Sequence, residues 1–205
     1  IAKKMSNKWI VELNSDTLPK IRINSMYEEF SNKSTDKNEK NYLKEHLQDA
    51  RWFLKSLQTR HDTLLKVAAQ IVEVQTDFLD HGPEHMKPLI LSDVAQRTEL
   101  HESTISRITN RKYLATPRGV FELKYFFSSH LGTSSGGEVS STAIRALIQK
   151  LVSDEDADRP LSDSKIVNIL LEKDIKIARR TVAKYRESLG IPSSSERKKF
   201  STRLA

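Results

Sequence analysis

Not one of the 205 residues is a cysteine. That absence removes thiol catalysis, disulfide bonds and cysteine-ligated metals together, and it fits a reducing cytoplasm. Glycine and proline are scarce, six of each, so little interrupts a helix. No apolar run approaches the about 18 residues of a membrane span, and no signal peptide is visible. There is no phosphate-binding loop, nucleophile elbow, or kinase or nuclease signature, so neither a catalytic centre nor a cofactor is expected. His81 and His85 flank Glu84 at a helical ligand spacing, but Gly82-Pro83 breaks the helix there and no third ligand is evident, so no metal is expected. The chain opens on Ile1 rather than Met and is read as a fragment.

What is present is positive charge, and it is concentrated. Nine Lys or Arg lie from Lys176 onward against Glu187 and Glu196 alone, which gives this stretch +7, equal to the net charge of the whole chain. A neutral body with one basic end points to a localised polyanion partner. Inside that end runs Ala178-Arg179-Arg180-Thr181-Val182-Ala183-Lys184-Tyr185-Arg186-Glu187, a helix-compatible string stopped by Gly190 and Pro192. Val182, Tyr185 and Leu189 form one apolar stripe for docking on a partner helix. Arg179, Arg180, Lys184 and Arg186 are expected to face outward, where Arg suits the guanine O6/N7 edge and Lys neutralises phosphate. The competing reading is a solvated basic helix.

Upstream, Lys8–Asn14 alternates like a short strand. Leu43, Leu47, Ala50, Leu54, Leu57, Leu64, Ala68, Ile71 and Phe78 recur at steps of three and four, with His61 and Gln75 in the two slots where the series breaks. One helix from about Asn41 to about Asp80 would be on the order of 60 Å long, either a coiled-coil strand or a rigid arm. Leu91–Ile108 has helix-turn-helix spacing. Ser92 is the expected cap, Leu100, Ile105 and Ile108 the anchors, and His101, Glu102, Ser103, Thr104, Ser106 and Arg107 the readers of DNA. Its turn lacks the usual glycine, with Glu99 in the slot, and a purely structural two-helix corner would look similar. Pro117-Arg118-Gly119 suggests a hairpin, and Phe121, Tyr125, Phe126 and Phe127 read as core. Gly132–Gly137 is a linker by composition. Beyond it Ser141 or Thr142 caps a helix carrying Ile144, Leu147, Ile148 and Leu151. Asp154–Asp158 reads as a solvated loop, and Ser162 caps a helix carrying Ile166, Ile169, Leu170 and Leu171. Arg197, Lys198 and Lys199 follow three serines, outside any capped helix, and are assigned to phosphates.

The ten-residue string Ala178–Glu187 resembles the signature box of the enhancer-dependent bacterial RNA polymerase sigma factors, the sigma-54 family. His101–Arg107, Pro117-Arg118-Gly119, Phe121–Phe127, Ser140–Ile144, Trp9–Asn14 and the long helix are similar to that family too. The resemblance implies an all-α fold: an extra-long helix and helix-turn-helix domain with a small hairpin (39–131), following the end of a core-binding region that is partly strand or loop (1–38). A flexible linker (132–139) then leads to a C-terminal three-helix helix-turn-helix domain (140–205). It implies a non-catalytic subunit whose partners are promoter double-stranded DNA and core RNA polymerase, in the bacterial cytoplasm at the nucleoid, with no membrane. The box would read the element near −24 and the Glu102–Arg107 face the element near −12. An ATP-hydrolysing AAA+ activator would act only through an N-terminal region this chain lacks. The alternative is a tandem helix-turn-helix regulator not bound to polymerase. Without DNA, the linker is expected to leave the two modules free in orientation.

Overall fold

The computed structural model describes residues 1–6, 8–17, 20–33, 36–128, 130–132, 138–156 and 159–198. It is mostly helical. Three antiparallel two-stranded hairpins complete it: β1 (Ala2–Met5) with β2 (Lys8–Val11), β3 (Tyr113–Thr116) with β4 (Gly119–Glu122), and β5 (His130–Gly132) with β6 (Glu138–Ser140). The first contains the strand expected from Lys8, now paired with β1; the third departs from the all-α expectation. Glu138 and Val139, allotted to the linker by composition, stand in β6. Residues 133–137, the centre of that linker, lie outside the described residues.

After α1 (Ser25–Lys33), the long helix α2 runs Lys37–Val74, 38 residues, capped by Asp36. At 1.5 Å per residue it is about 57 Å long. It stops six residues short of Asp80 and resumes as α3 (Thr76–His81). The break falls at Gln75. Fully buried, its amide donates to the Lys87 carbonyl (2.7 Å) and accepts from the Lys87 N–H (3.0 Å), as a paired strand residue would. A polar residue in an apolar slot is thus a two-bond lock on the following loop. Gly82, at φ +106°, then ends α3. Arg118, at the tip of the β3–β4 turn, donates Nε to Leu79 O (2.7 Å) and Nη2 to Asp80 O, which satisfies carbonyls that a helix end leaves open.

Only the C-terminal third of α2 is built into a core. Val67, Ala68, Ile71 and Val72 are buried with Phe78, Val94, Ile105, Leu123 and Phe126. Phe78 meets Phe121 and Phe126 edge to face at 5.3 and 5.4 Å, so Phe126 is core and Phe121 and Phe127 pack on it, while Tyr125, expected with them, is 38% exposed. The β1–β2 hairpin closes on this core through Ala2, and Asp80 accepts from Lys4 Nζ (2.7 Å) and Trp9 Nε1 (3.1 Å). A second core joins α6 (Ser141–Ser153), α7 (Asp163–Glu172) and α8 (Arg179–Ser188) through Ile144, Ile148, Ile166, Leu170, Ile175, Ile177 and Val182. Leu171, expected inside, is 52% exposed.

The caps differ from expectation by a residue or two. Ser140, not Ser141 or Thr142, accepts from Ala143 N (3.0 Å), while Ser162 caps α7 as expected. Ser92 lies inside α4 (Leu91–Thr98), and it is Asp93 that accepts from Ile90 N (3.1 Å). The two units are also docked, contrary to the expectation of free orientation. Ala143 is buried with the first core, Val139 packs on both, and Lys150 pairs with Glu84 at 2.9 Å.

Candidate nucleic-acid interface

The first candidate surface is α5 (Glu102–Thr109), which meets α4 across a tight turn. Glu99 occupies that turn at φ +58°, ψ +36°, the left-handed conformation that glycine adopts without strain. The sequence lacks the glycine, yet the turn forms. Leu100 N bonds to Ala95 O (3.0 Å), and Lys66 of the long helix donates Nζ to Thr98 O (2.7 Å), which ties α4 to α2. Ile105 and Thr109 are buried beneath α5, with Leu100 and Ile108 packed beside them. His101, Glu102, Ser103, Ser106 and Arg107 are exposed together and Thr104 is half-buried. His101 also starts the helix, its Nδ1 accepting from Ser103 N (3.2 Å). Next to this face lies a cleft of about 770 Å³ whose wall carries Arg60, Arg107, Arg111 and Lys112 over Leu57 and Leu64.

The second surface is α8. The chain leaves α7 through Asp174 at φ +65°, with Ile175 N bonded to Leu170 O (2.8 Å). That turn buries Ile175 and Ile177 and delivers Ala178 as the N-cap of α8. An alanine cap offers no side-chain acceptor, so the first N–H groups of α8 stay open. Those open donors, the positive end of the helix dipole and the exposed Arg179 and Arg180 coincide, which is the arrangement that receives a phosphate. Arg180, Lys184 and Glu187 follow at four and three residues on one exposed face. Arg179, Arg180 and Lys184 have no carboxylate partner among the described residues.

Three residues of the box turn inward, two of them on the apolar stripe expected to dock. Val182 is fully buried in the core. Tyr185 is half-buried, with the Arg145 guanidinium 4.8 Å from its ring centroid. Arg186, expected outward, is 6% exposed. Its fork grips Asp163 of α7 (Nε–Oδ1 2.9 Å, Nη2–Oδ2 3.5 Å) and donates Nη1 to Ile191 O (2.7 Å). The physical reason is helical phase: Arg186 follows Val182 by four residues, so the two share a face. Read that way, the string itself held the signal.

The basic tail also changes role. Ser193 and Glu196 form a reciprocal cap, Ser193 N to Glu196 Oε2 (2.9 Å) and Glu196 N to Ser193 Oγ (3.4 Å), around a helical turn at 194–198. Arg197 sits in that turn, forked onto Glu155 at 2.6 and 2.9 Å with a further bond to Leu161 O (2.9 Å). Glu155, placed in a solvated loop by its acidic neighbours, has only 8% of its side chain exposed. Arg197 is therefore removed from the phosphate-contacting set. Lys198 remains exposed, and Lys199 lies outside the described residues. Among the described residues no group of His, Asp and Glu is placed to hold a metal, and no helix is long and apolar enough to cross a membrane.

A family model described as "Sigma-54, DNA binding domain" matches residues 40–199. The chain belongs to the sigma-54 family. It is 58% identical over 200 residues to the RNA polymerase sigma-54 factor of Pseudomonas putida, covering 98% of this chain and 40% of that protein. It is 54% identical to the factor of Escherichia coli K12, covering 98% and 42%. This sigma-54 domain therefore spans about two fifths of the length of those relatives. It is similar in structure to Aquifex aeolicus sigmaN bound to promoter DNA, at 41% identity and a TM-score of 0.63 over 96% of this chain and 58% of that one.

Proposed function

We propose that this chain is the promoter-reading portion of a sigma factor that places core RNA polymerase at elements near −24 and −12. In this reading α7 and α8 form the helix-turn-helix unit for the −24 element, with Arg179, Arg180 and Lys184 at the bases and phosphates. α4 and α5 form the unit for the −12 element, through Glu102, Ser103, Ser106 and Arg107. The observation that carries it is the basic end of α8, without a side-chain cap and without carboxylate partners among the described residues, in a chain whose solved relative holds promoter DNA. Elements about twelve base pairs apart recur near one helical turn, so both units can address one duplex face. The chain supplies no catalytic chemistry; ATP hydrolysis belongs to a separate activator that engages parts of the protein outside this chain.

Selection from random duplex DNA with this chain tests the reading. Recovery of GG and GC dinucleotides about one turn apart is the expected result, and enrichment of no sequence overturns it. On the selected site, Arg179→Ala or Arg180→Ala should cost about 1–3 kcal/mol of specific binding, confined to the −24 element. Equal weakening on every sequence would assign both arginines to phosphates instead.

A further inference from the structure

The junction between the two units forms an open cavity of about 540 Å³ that promoter reading leaves unused. Lys124 and Ser128 line it from the first unit, and Ser141, Thr142, Arg145 and Gln149 line it from α6; no Asp or Glu is among its wall residues. Two polar atoms on this wall are buried with no hydrogen-bond partner among the described residues: Ser128 Oγ and Arg145 Nε. Ser128 is 9% exposed overall. Arg145 lies half-buried over the Tyr185 ring, which occupies a face of the guanidinium, and its Nε is the donor left unmet. A buried N–H and a buried hydroxyl without partners are each costly, and an anion that reached both would answer them.

The first turn of α6 points to the same occupant. Ser140 Oγ takes the N–H of Ala143, while the amides of Ser141 and Thr142 lie where a helix has no acceptor of its own. Both residues line the cavity, at the positive end of a 13-residue helix. Lys124 adds a second cation from the opposite unit, likewise without a carboxylate partner among the described residues. We propose that this junction is a binding site for a phosphate oxyanion, held by Arg145, Ser128, Lys124 and the first turn of α6. Because the donors come from both units, the bound anion pins one unit to the other. The cavity exceeds a bare phosphate in volume, so the group can be free phosphate, a phosphate monoester or a DNA backbone phosphate.

The site does not depend on promoter reading, and its first test contains no DNA. Thermal unfolding of the whole chain is followed in inorganic phosphate and in chloride of matched ionic strength. At ten times the dissociation constant, phosphate multiplies the folding constant about elevenfold, a rise of about 3–6 °C in Tm for a chain of this size. Ser128→Ala should not lower Tm in chloride, since its hydroxyl has no bond to lose and its unmet burial is relieved, and should shrink the phosphate shift. Arg145→Gln and Lys124→Gln should abolish the shift, Arg145→Lys should retain part of it, and Lys150→Ala at the neighbouring ion pair should leave it intact. The second arm identifies the source. If the oxyanion belongs to DNA, phosphate competes with promoter DNA and Arg145→Gln lowers the salt dependence of DNA affinity by about 0.9 in log–log slope. If it is a separate ligand, phosphate and DNA bind together and that slope is unchanged. A wild-type phosphate shift no larger than that of Ser128→Ala and Lys124→Gln, with the same DNA slope for wild type and Arg145→Gln, overturns the proposal.

Discussion

Replacing Arg186 by alanine should damage the fold of the C-terminal unit rather than its contact with DNA. The side chain is 7% exposed and its partner Asp163 18%, so truncation strands a largely buried carboxylate. It also leaves Ile191 O without the donor now 2.7 Å away. Removing one member of a buried pair costs about 3–5 kcal/mol. Water reaching the partly open side of Asp163 lowers this, and the lost neutral acceptor bond adds about 1 kcal/mol, so about 2–4 kcal/mol is expected. Urea titration followed by circular dichroism reads this directly, with Arg180→Ala as the comparison at an exposed position and an expected change within about 0.5 kcal/mol. Asp163→Ala should cost a similar amount to Arg186→Ala. The double variant should cost less than the sum, because each single change already breaks the same pair. DNA affinity corrected for the folded fraction should be preserved in Arg186→Ala. If Arg186→Ala keeps the parent urea midpoint and nonetheless abolishes binding, the assignment of this arginine to the core is wrong.

Three further outcomes follow from other contacts. Arg197→Ala should lower stability by about 2–4 kcal/mol through the stranded Glu155, while the salt dependence of DNA affinity stays that of the parent; a flatter slope would return Arg197 to the phosphates. Glu99→Gly should stabilise the first unit by about 1 kcal/mol, since the left-handed conformation it relieves costs roughly that for a residue with a Cβ, and a lowered urea midpoint would contradict this. The hydrogen bond from Lys4, reinforced by the Trp9 indole, holds the Asp80 carboxyl below its ordinary range. Docking of the β1–β2 hairpin is then fully supported above about pH 4 and loses that support as pH falls through the lowered value. Trp9 fluorescence should report the loss, and Asp80→Asn should remove this component of it.

Periodicity carried the interior of the fold well. Val182, Tyr185 and Leu189 on α8, Ile105 under α5 and Phe121, Phe126 and Phe127 of the aromatic cluster pack where their spacing places them. Side chains that bond across the chain were less legible. Arg186 and Arg197 both read as surface cations because charge suggests solvent. Their carboxylate partners lie 23 and 42 residues away, and nothing local announces them. Two local signals did exist: the four-residue step from Val182 to Arg186, and the Ser193–Glu196 capping pattern that makes Arg197 helical. Gln75 was visible as an interruption in the apolar series, but its bonds to Lys87 needed the tertiary structure. Arg118 and Arg145 carried no such local mark; one closes a helix end and the other sits at a junction, and both roles exist only once distant elements meet.

The 57 Å helix behaves, in engineering terms, as a cantilever. Its root is fixed by Val67–Val72 and by the Lys66 tie to Thr98, while its outer half carries α1, joined by the Arg51–Glu28 pair at 2.8 Å. Along such a beam, each residue inserted rotates everything beyond it by about 100° and advances it by 1.5 Å. A single added residue between Leu54 and Leu57, on the root side of the α1 contact, would leave the root and both DNA-facing surfaces untouched. It would nonetheless swing α1 about a quarter turn around the beam, aiming whatever the tip carries in a new direction. Length and phase along this one helix are therefore a bearing as much as a distance, set by residue count alone.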